Sequence, residues 1–121
     1  MNILVITREI PPVGGGAGHV ALHLAREAAD AGHAVTIVTM GFGDLPARET
    51  IGSIEVHRVW CARRFQDSSY YREMLLFLAQ ARQLIARLRR EQRFDLVHAH
   101  AIFPDGLVAV GLGAPVVVTA H

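Results

Sequence analysis

An α/β domain built on a doubly wound parallel sheet is what this sequence predicts, and three observations carry that prediction. Short continuous apolar runs rich in β-branched residues recur along the chain, as strands covered on both faces require. Segments with apolar residues at helical spacing separate most of them. A glycine-rich loop stands between the first run and the first helical segment, the position where doubly wound folds bind ligands.

The elements follow in order. Ile3 to Thr7 is the first strand. Arg8 to Gly18 holds two prolines and four glycines and is a loop. Ala17 to Ala31 reads as a helix, with Val20, Leu24 and Ala28 on one face, Ala21 and Ala25 beside them, and Gly32 as its stop. Ala34 to Met40 is the second strand. Gly41 to Gly52 reads as a turn-rich connection, and Ile54 to Trp60 as the third strand. Ser69 to Gln92 is the longest helix. Tyr71, Met74, Leu75, Leu78, Ile85 and Leu88 form its apolar stripe, widened by Phe77 and Leu84. Asp95 to His100 is the fourth strand. Pro104 to Leu112 is a short helix, with proline in the first turn and Asp105 near the positive end. Pro115 to Ala120 is the fifth strand. Alternating strands and helices with short joins argue for a parallel sheet covered on both faces. No internal repeat, low-complexity tract or linker divides residues 1–121.

Composition narrows the function classes. The chain has 121 residues, 51% hydrophobic and 19% charged, as a folded domain should have. Its formal net charge of +1 offers no field for nucleic acid. Cys61 is the only cysteine, so an internal disulfide and a paired-cysteine metal site are excluded. Residues 1–7 lack the basic start and cleavage site of a signal peptide, and no apolar run reaches membrane-spanning length. All 12 basic residues are arginine, so a Walker loop with its lysine is also excluded.

The loop Pro11-Pro12-Val13-Gly14-Gly15-Gly16-Ala17-Gly18-His19 is the first candidate site. Glycines let the backbone approach a ligand, and the following helix offers free N–H groups to an anion. The alternative is that these glycines serve only a tight turn and close helix packing. A dinucleotide fingerprint fails, because the third glycine would fall at His19 and Thr39-Met40-Gly41 puts no acidic residue at the end of the second strand. Gly14, Gly15, Gly16 and His19 are therefore read as a phosphate or sugar cradle, and a nicotinamide site is disfavoured.

Three segments then point to a family. Pro11-Pro12 with Gly14-Gly15-Gly16, followed by Ala31-Gly32-His33-Ala34-Val35-Thr36-Ile37-Val38, resembles the start of family-4 glycosyltransferases. Asp95-Leu96-Val97-His98-Ala99-His100 with Phe103-Pro104-Asp105-Gly106 is similar to that family's middle N-domain motif. Pro115-Val116-Val117-Val118-Thr119-Ala120-His121 resembles the strand that ends in its active-site histidine. Gly15-Gly16-Ala17-Gly18-His19-Val20 also resembles the glycine loop of the related lipid-linked GlcNAc transferases.

The resemblance implies the Rossmann-like N-terminal, acceptor-side half of a GT-B fold, incomplete at its C-terminal end, with these strands ordered third, second, first, fourth, fifth. It implies a retaining hexosyltransferase of carbohydrate biosynthesis, with a nucleotide sugar as substrate and no protein cofactor or metal. The missing C-terminal domain would hold the nucleotide, and the isolated chain is expected to be inactive. His121 is the catalytic expectation, as the residue beside the transferred sugar. Gly14, Gly15, Gly16, His19, His100 and Asp105 are the substrate-binding expectations, with Arg8 and Glu9 as further acceptor contacts. His98, on the same strand face as His100, is read as a packed histidine satisfied by the backbone. The acceptor is a glycan, a lipid-linked sugar or a small molecule.

The expected location is the cytoplasm, extending to the inner face of the membrane if the arginine-rich middle third meets lipid; the competing reading of that third is a solvated helix face. A second function class stays open: a non-catalytic assembly module that dimerises through Pro115–Ala120 as an exposed edge strand.

Overall fold

The computed structural model describes residues 1–11, 16–59 and 70–119, with Tyr70 and Tyr71 described by their backbone alone. Among these residues lie six strands: β1 (Asn2–Ile6), β2 (Ala34–Met40), β3 (Arg48–Ile51), β4 (Ile54–Val59), β5 (Leu96–Ala99) and β6 (Val116–Val118). Two helices accompany them, α1 (Gly16–Asp30) and α2 (Tyr70–Glu91). The strands form one sheet ordered β3-β4-β2-β1-β5-β6. All neighbours are parallel except β3 and β4. The five expected strands therefore hold their expected order, and the reversal of strand order falls between β1 and β5.

Alternation along the strands divides the interior into two cores. Leu4 and Ile6 of β1 and Val38 and Met40 of β2 pack with Phe77, Ala81, Ile85 and Leu88 of α2. Ile3, Val5, Val35 and Ile37 point the other way, onto Leu22 and Ala25 of α1. One helix covers each face, so strand residues of both parities are apolar and the runs read as continuous.

Both helices turn differently from their sequence stripes. In α1 the buried residues are Gly18, Ala21, Leu22 and Ala25, whereas Val20 and Leu24 are exposed. The cause is Gly18, where a Cβ would lie 2.7 Å from the Glu9 carbonyl oxygen. That backbone contact fixes which side faces in. In α2 the seam runs Met74, Phe77, Ala81, Ile85, Leu88, and Leu75 is exposed. The end of α1 is as expected: Gly32 takes φ 97°, its amide donates to Ala29 O (3.0 Å), and His33 donates to Ala28 O (3.1 Å).

The connection after β2 holds a strand that the sequence reading passed over. Arg48–Ile51 pairs antiparallel with β4 through a two-residue turn at Gly52-Ser53, Gly52 having φ 60° and Ile51 facing Ile54. The short helix expected over Pro104–Leu112 is also corrected. A wide helical turn spans Ile102–Gly106, with Phe103 extended, the Phe103–Pro104 peptide cis, and the Gly106 amide bonded to Ala101 O (2.9 Å). Helical backbone ends soon after Val108, because Gly111 and Gly113 take φ 80° and 75°. The Arg82 guanidinium on α2 donates to the carbonyls of Leu107 (3.2 Å), Val108 (3.4 Å) and Val110 (3.0 Å), pinning the end of this segment.

Candidate functional site

A parallel sheet whose strand order reverses at β1/β5 leaves a crevice beyond the carboxyl ends of those strands. In this chain that crevice is a cleft of about 190 Å³ lined by Thr7, Arg8, Glu9, Ala17, Gly18, Met74, His100, Ala101, Phe103, Pro104 and Asp105. Small-molecule pockets usually exceed about 300 Å³, so this volume suits one wall of a larger site. A second hollow of about 260 Å³ opens at the amino ends of β5 and β6, beside Arg89, Arg93, Phe94 and Leu112. It lies at the wrong end of the strands, and no buried charged group lines it.

The loop after β1 builds one side of the cleft. The Met40 amide donates to Arg8 O (3.1 Å), and the Thr7 hydroxyl donates to Glu9 O (3.0 Å). Gly18 then lets α1 sit directly on the Glu9 carbonyl. Arg8 lies 3.6 Å from the Glu9 carboxylate and also donates to Met74 Sδ at 3.5 Å, which ties the loop to α2. The opposite side comes from β5 and the wide turn. The His100 amide donates to Ile6 O (3.0 Å), which carries the strand pairing to the rim. The His100 ring stacks on His98 with centroids 4.0 Å apart, and His98 Nε2 lies 2.7 Å from Thr119 Oγ1. A threonine side chain thus meets His98 at the end of the sheet.

Asp105 is the unusual group. It is 2% exposed, and its Oδ1 has no hydrogen-bond partner among the described residues. Burial pushes its carboxyl up to about 7; the Arg8 backbone amide and guanidinium oppose the rise, and the Glu9 carboxylate adds to it. A carboxyl so placed is a hydrogen-bond donor in much of its population near neutrality, as well as an acceptor.

The expected site residues divide as follows. His100 and Asp105 meet in the cleft, and so do Arg8 and Glu9. Gly16 is exposed at the start of α1 with open space where a Cβ would be. His19 is exposed in the first turn of α1 and is not among the described residues lining the cleft. Gly14, Gly15 and His121 lie outside the described residues. The sequence reading missed Thr7 and Met74, while the close packing of Gly18 is the alternative it held for the loop glycines. Thr7 carried a usable signal, since it ends the first strand; Met74 carried none, because its role depends on how α2 is rotated. Among the described residues no group of three His, Cys, Asp or Glu is placed to hold a metal ion.

Comparison with known proteins bears on this site. The chain superposes on sucrose-phosphate synthase from Thermosynechococcus elongatus with a TM-score of 0.76 and 16% identity, over 99% of this chain and 33% of that one. The catalytic domain of starch synthase IV from Arabidopsis thaliana, solved with ADP and acarbose, gives 0.71 and 19%, over 99% and 34%. The C-terminal domain of the PF1911 hydrogenase from Pyrococcus furiosus gives 0.63 and 17%, over 98% and 90%. At these identities the likeness is one of fold, and the hydrogenase domain illustrates that one layered architecture serves unlike chemistries. The chain spans about a third of the length of the two synthases, both GT-B glycosyltransferases. No curated protein matches it. The family comes from the sequence itself, which matches the family model Glycosyltransferase Family 4 over residues 14–121. This chain belongs to Glycosyltransferase Family 4.

Proposed function

We propose that the chain is the acceptor-side half of a GT-B glycosyltransferase that moves a sugar from a nucleotide sugar to a hydroxyl acceptor with retention. The observation that carries the reading is the cleft at the β1/β5 reversal, where Gly18, His100 and Asp105 converge in a family-4 chain. In the reaction the bond from the sugar's anomeric carbon to the diphosphate oxygen breaks, and a bond to the acceptor oxygen forms on the same face. The acceptor proton leaves with the diphosphate. Negative charge develops on the departing phosphate, and backbone amides at the start of α1 are suited to meet it. A starch synthase neighbour solved with ADP and acarbose is in keeping with a nucleoside diphosphate as leaving group. With about a third of the length of its neighbours, the chain is read as one wall of the site, inactive until the other wall is supplied. Among the described residues no helix is long and apolar enough to cross a membrane. Contact with a membrane surface is left to the arginine-rich middle third.

His121 is proposed to touch the transferred sugar. In an enzyme containing this chain, His121→Ala should lower turnover by about 100-fold or more, the scale of losing one aimed hydrogen-bond donor. Unchanged release of nucleoside diphosphate by that variant would remove His121 from the site.

A second reading, an assembly module that dimerises through β6, is favoured by one observation. Val116, Val117 and Val118 are exposed by 42–48% on the last strand of the sheet. Sedimentation of the purified chain separates the two readings, since a monomer at high concentration leaves only the first.

A further inference from the structure

We propose that the hollow at the amino ends of β5 and β6 is a second binding site, for a soluble phosphate monoester with an aromatic body, its phosphate held between Arg89 and Arg93.

Floor and rim of this hollow differ in kind. Leu4, Val97 and Phe94 form the floor and are at most 8% exposed. The rim carries two guanidinium side chains, Arg89 in the last turn of α2 and Arg93 just beyond it. An apolar body with a compact anionic head matches both. Phe94 offers a ring edge to an aromatic body, and guanidinium planes stack on aromatic faces. Two guanidiniums suit the paired oxygens and double charge of a phosphate monoester. A cavity of about 150 Å³ accepts benzene. About 260 Å³ therefore holds a ring with a phosphate beside it, whereas a long acyl chain would overrun it.

The two arginines have no structural employment. Among the described residues no carboxylate or carbonyl binds either guanidinium. Arg82, two turns earlier on the same side of α2, shows the contrast, since its guanidinium is spent on the carbonyls of Leu107, Val108 and Val110. Arg89 instead passes over Gly113, where a Cβ would lie 3.8 Å from its Nη2. The Arg93 backbone is fixed, because its carbonyl accepts from the Asn2 side chain at 2.9 Å. The neighbouring acids do not compete. Asp95 is turned to the Asn2 amide at 2.8 Å, and Glu91 is exposed and does not line the hollow. The carboxyl end of α2 contributes about half a negative charge, which the two arginines outweigh. The hollow lies at the far end of the sheet from the cleft, so its occupant is separate from anything bound beside His100.

The test is an amide chemical-shift titration of the 121-residue chain with phenyl phosphate, at an ionic strength of about 0.15 M. Inorganic phosphate, phenol and phenyltrimethylammonium are the comparison probes. Phenyl phosphate should move the Phe94, Val97 and Gly113 amides with a dissociation constant of about 1 mM or tighter, and leave those of Thr7 and His100 in place. Inorganic phosphate and phenol should each bind at least about tenfold more weakly, having lost the body or the head. The aromatic cation should not bind. Arg89→Gln and Arg93→Gln should each weaken phenyl phosphate by about tenfold. Both positions are exposed, so the variants keep the fold. Arg87→Gln removes the same charge from an exposed position that does not line the hollow, and should bind as the parent does. No shift of these amides at about 10 mM phenyl phosphate would overturn the proposal. So would inorganic phosphate that binds as tightly as phenyl phosphate, or an Arg87→Gln chain weakened as much as Arg89→Gln, since either result leaves only diffuse attraction of anions to α2.

Discussion

At the scale of single residues, two positions set the shape and chemistry of the cleft. A Cβ on Gly18 would meet Glu9 O at 2.7 Å, Glu9 C at 3.1 Å and Ile10 Cα at 3.3 Å, all of them backbone atoms that cannot swing aside. Gly18→Ala should therefore cost about 1–3 kcal/mol, the usual scale of overpacking, and displace the Glu9 side of the cleft. Gly16→Ala, where nothing lies within 4 Å, should be neutral or slightly stabilising. Urea melts of the two variants check the contrast, and equal stabilities would mean that α1 does not rest on the loop. Asp105 is the second position. Its carboxyl binds a proton more tightly folded than unfolded, with the ordinary value of 3.8 raised to about 7. Its contribution to stability is thus complete below pH 3.8 and is lost as pH rises to about 7. Asp105→Asn should flatten the fall in stability across that window. Thermal melts of parent and variant at stepped pH would show it, and parallel curves would refute it.

At the scale of elements, the antiparallel edge shows how a buried charge is tolerated. Arg58 on β4 has a side chain only 2% exposed, yet its guanidinium reaches Glu49 on β3 at 2.8 Å and Pro46 O at 3.1 Å. Glu49→Ala would leave that cation buried with one partner and should cost about 2 kcal/mol. Arg48→Ala, which removes a partner of Glu55 whose own side chain is 71% exposed, should cost well under 1 kcal/mol. Equal denaturation midpoints for these two variants would show that β3 does not depend on Arg58. The sequence held the signal for this hairpin, since Gly52-Ser53 separates two strand-like runs, but a run holding Arg48 and Glu49 reads as loop when only apolar residues are sought. The buried strands, the parallel order and the cap at Gly32 were legible because each depends on local pattern. The rotation of α1 was not, because it depends on the contact of Gly18 with the Glu9 carbonyl rather than on the pattern within the helix. The wide turn at Ile102–Gly106 was equally hidden. Proline followed by an acidic residue announces a helix start, whereas here burial claims Asp105 instead. His100 and Asp105 were legible as site residues through their motif, while the unmatched Oδ1 needed coordinates.

For the whole molecule, the two edges of the sheet are built oppositely. The β3 edge carries Arg48 and Glu49 and closes in a tight turn, both devices that discourage pairing with another chain. The β6 edge carries three exposed valines and no charge. Its register fixes which backbone groups face outward. Val97 donates to Pro115 O and Thr119 donates to Ala99 O, so residues 115, 117 and 119 serve β5. The amides and carbonyls of Val116 and Val118 therefore point away from the sheet. If β6 joins another strand, whether from a second copy or from further chain, those outward groups make the bonds. Proline discriminates the two sides, because it removes one amide and is tolerated only where that amide is not in the ladder. Val116→Pro should preserve the fold and abolish any self-association seen by sedimentation velocity. Val117→Pro should instead break the β5–β6 ladder and lower the denaturation midpoint. An association that survives Val116→Pro would place the contact elsewhere on the molecule, and a Val117→Pro chain as stable as its parent would refute the register itself.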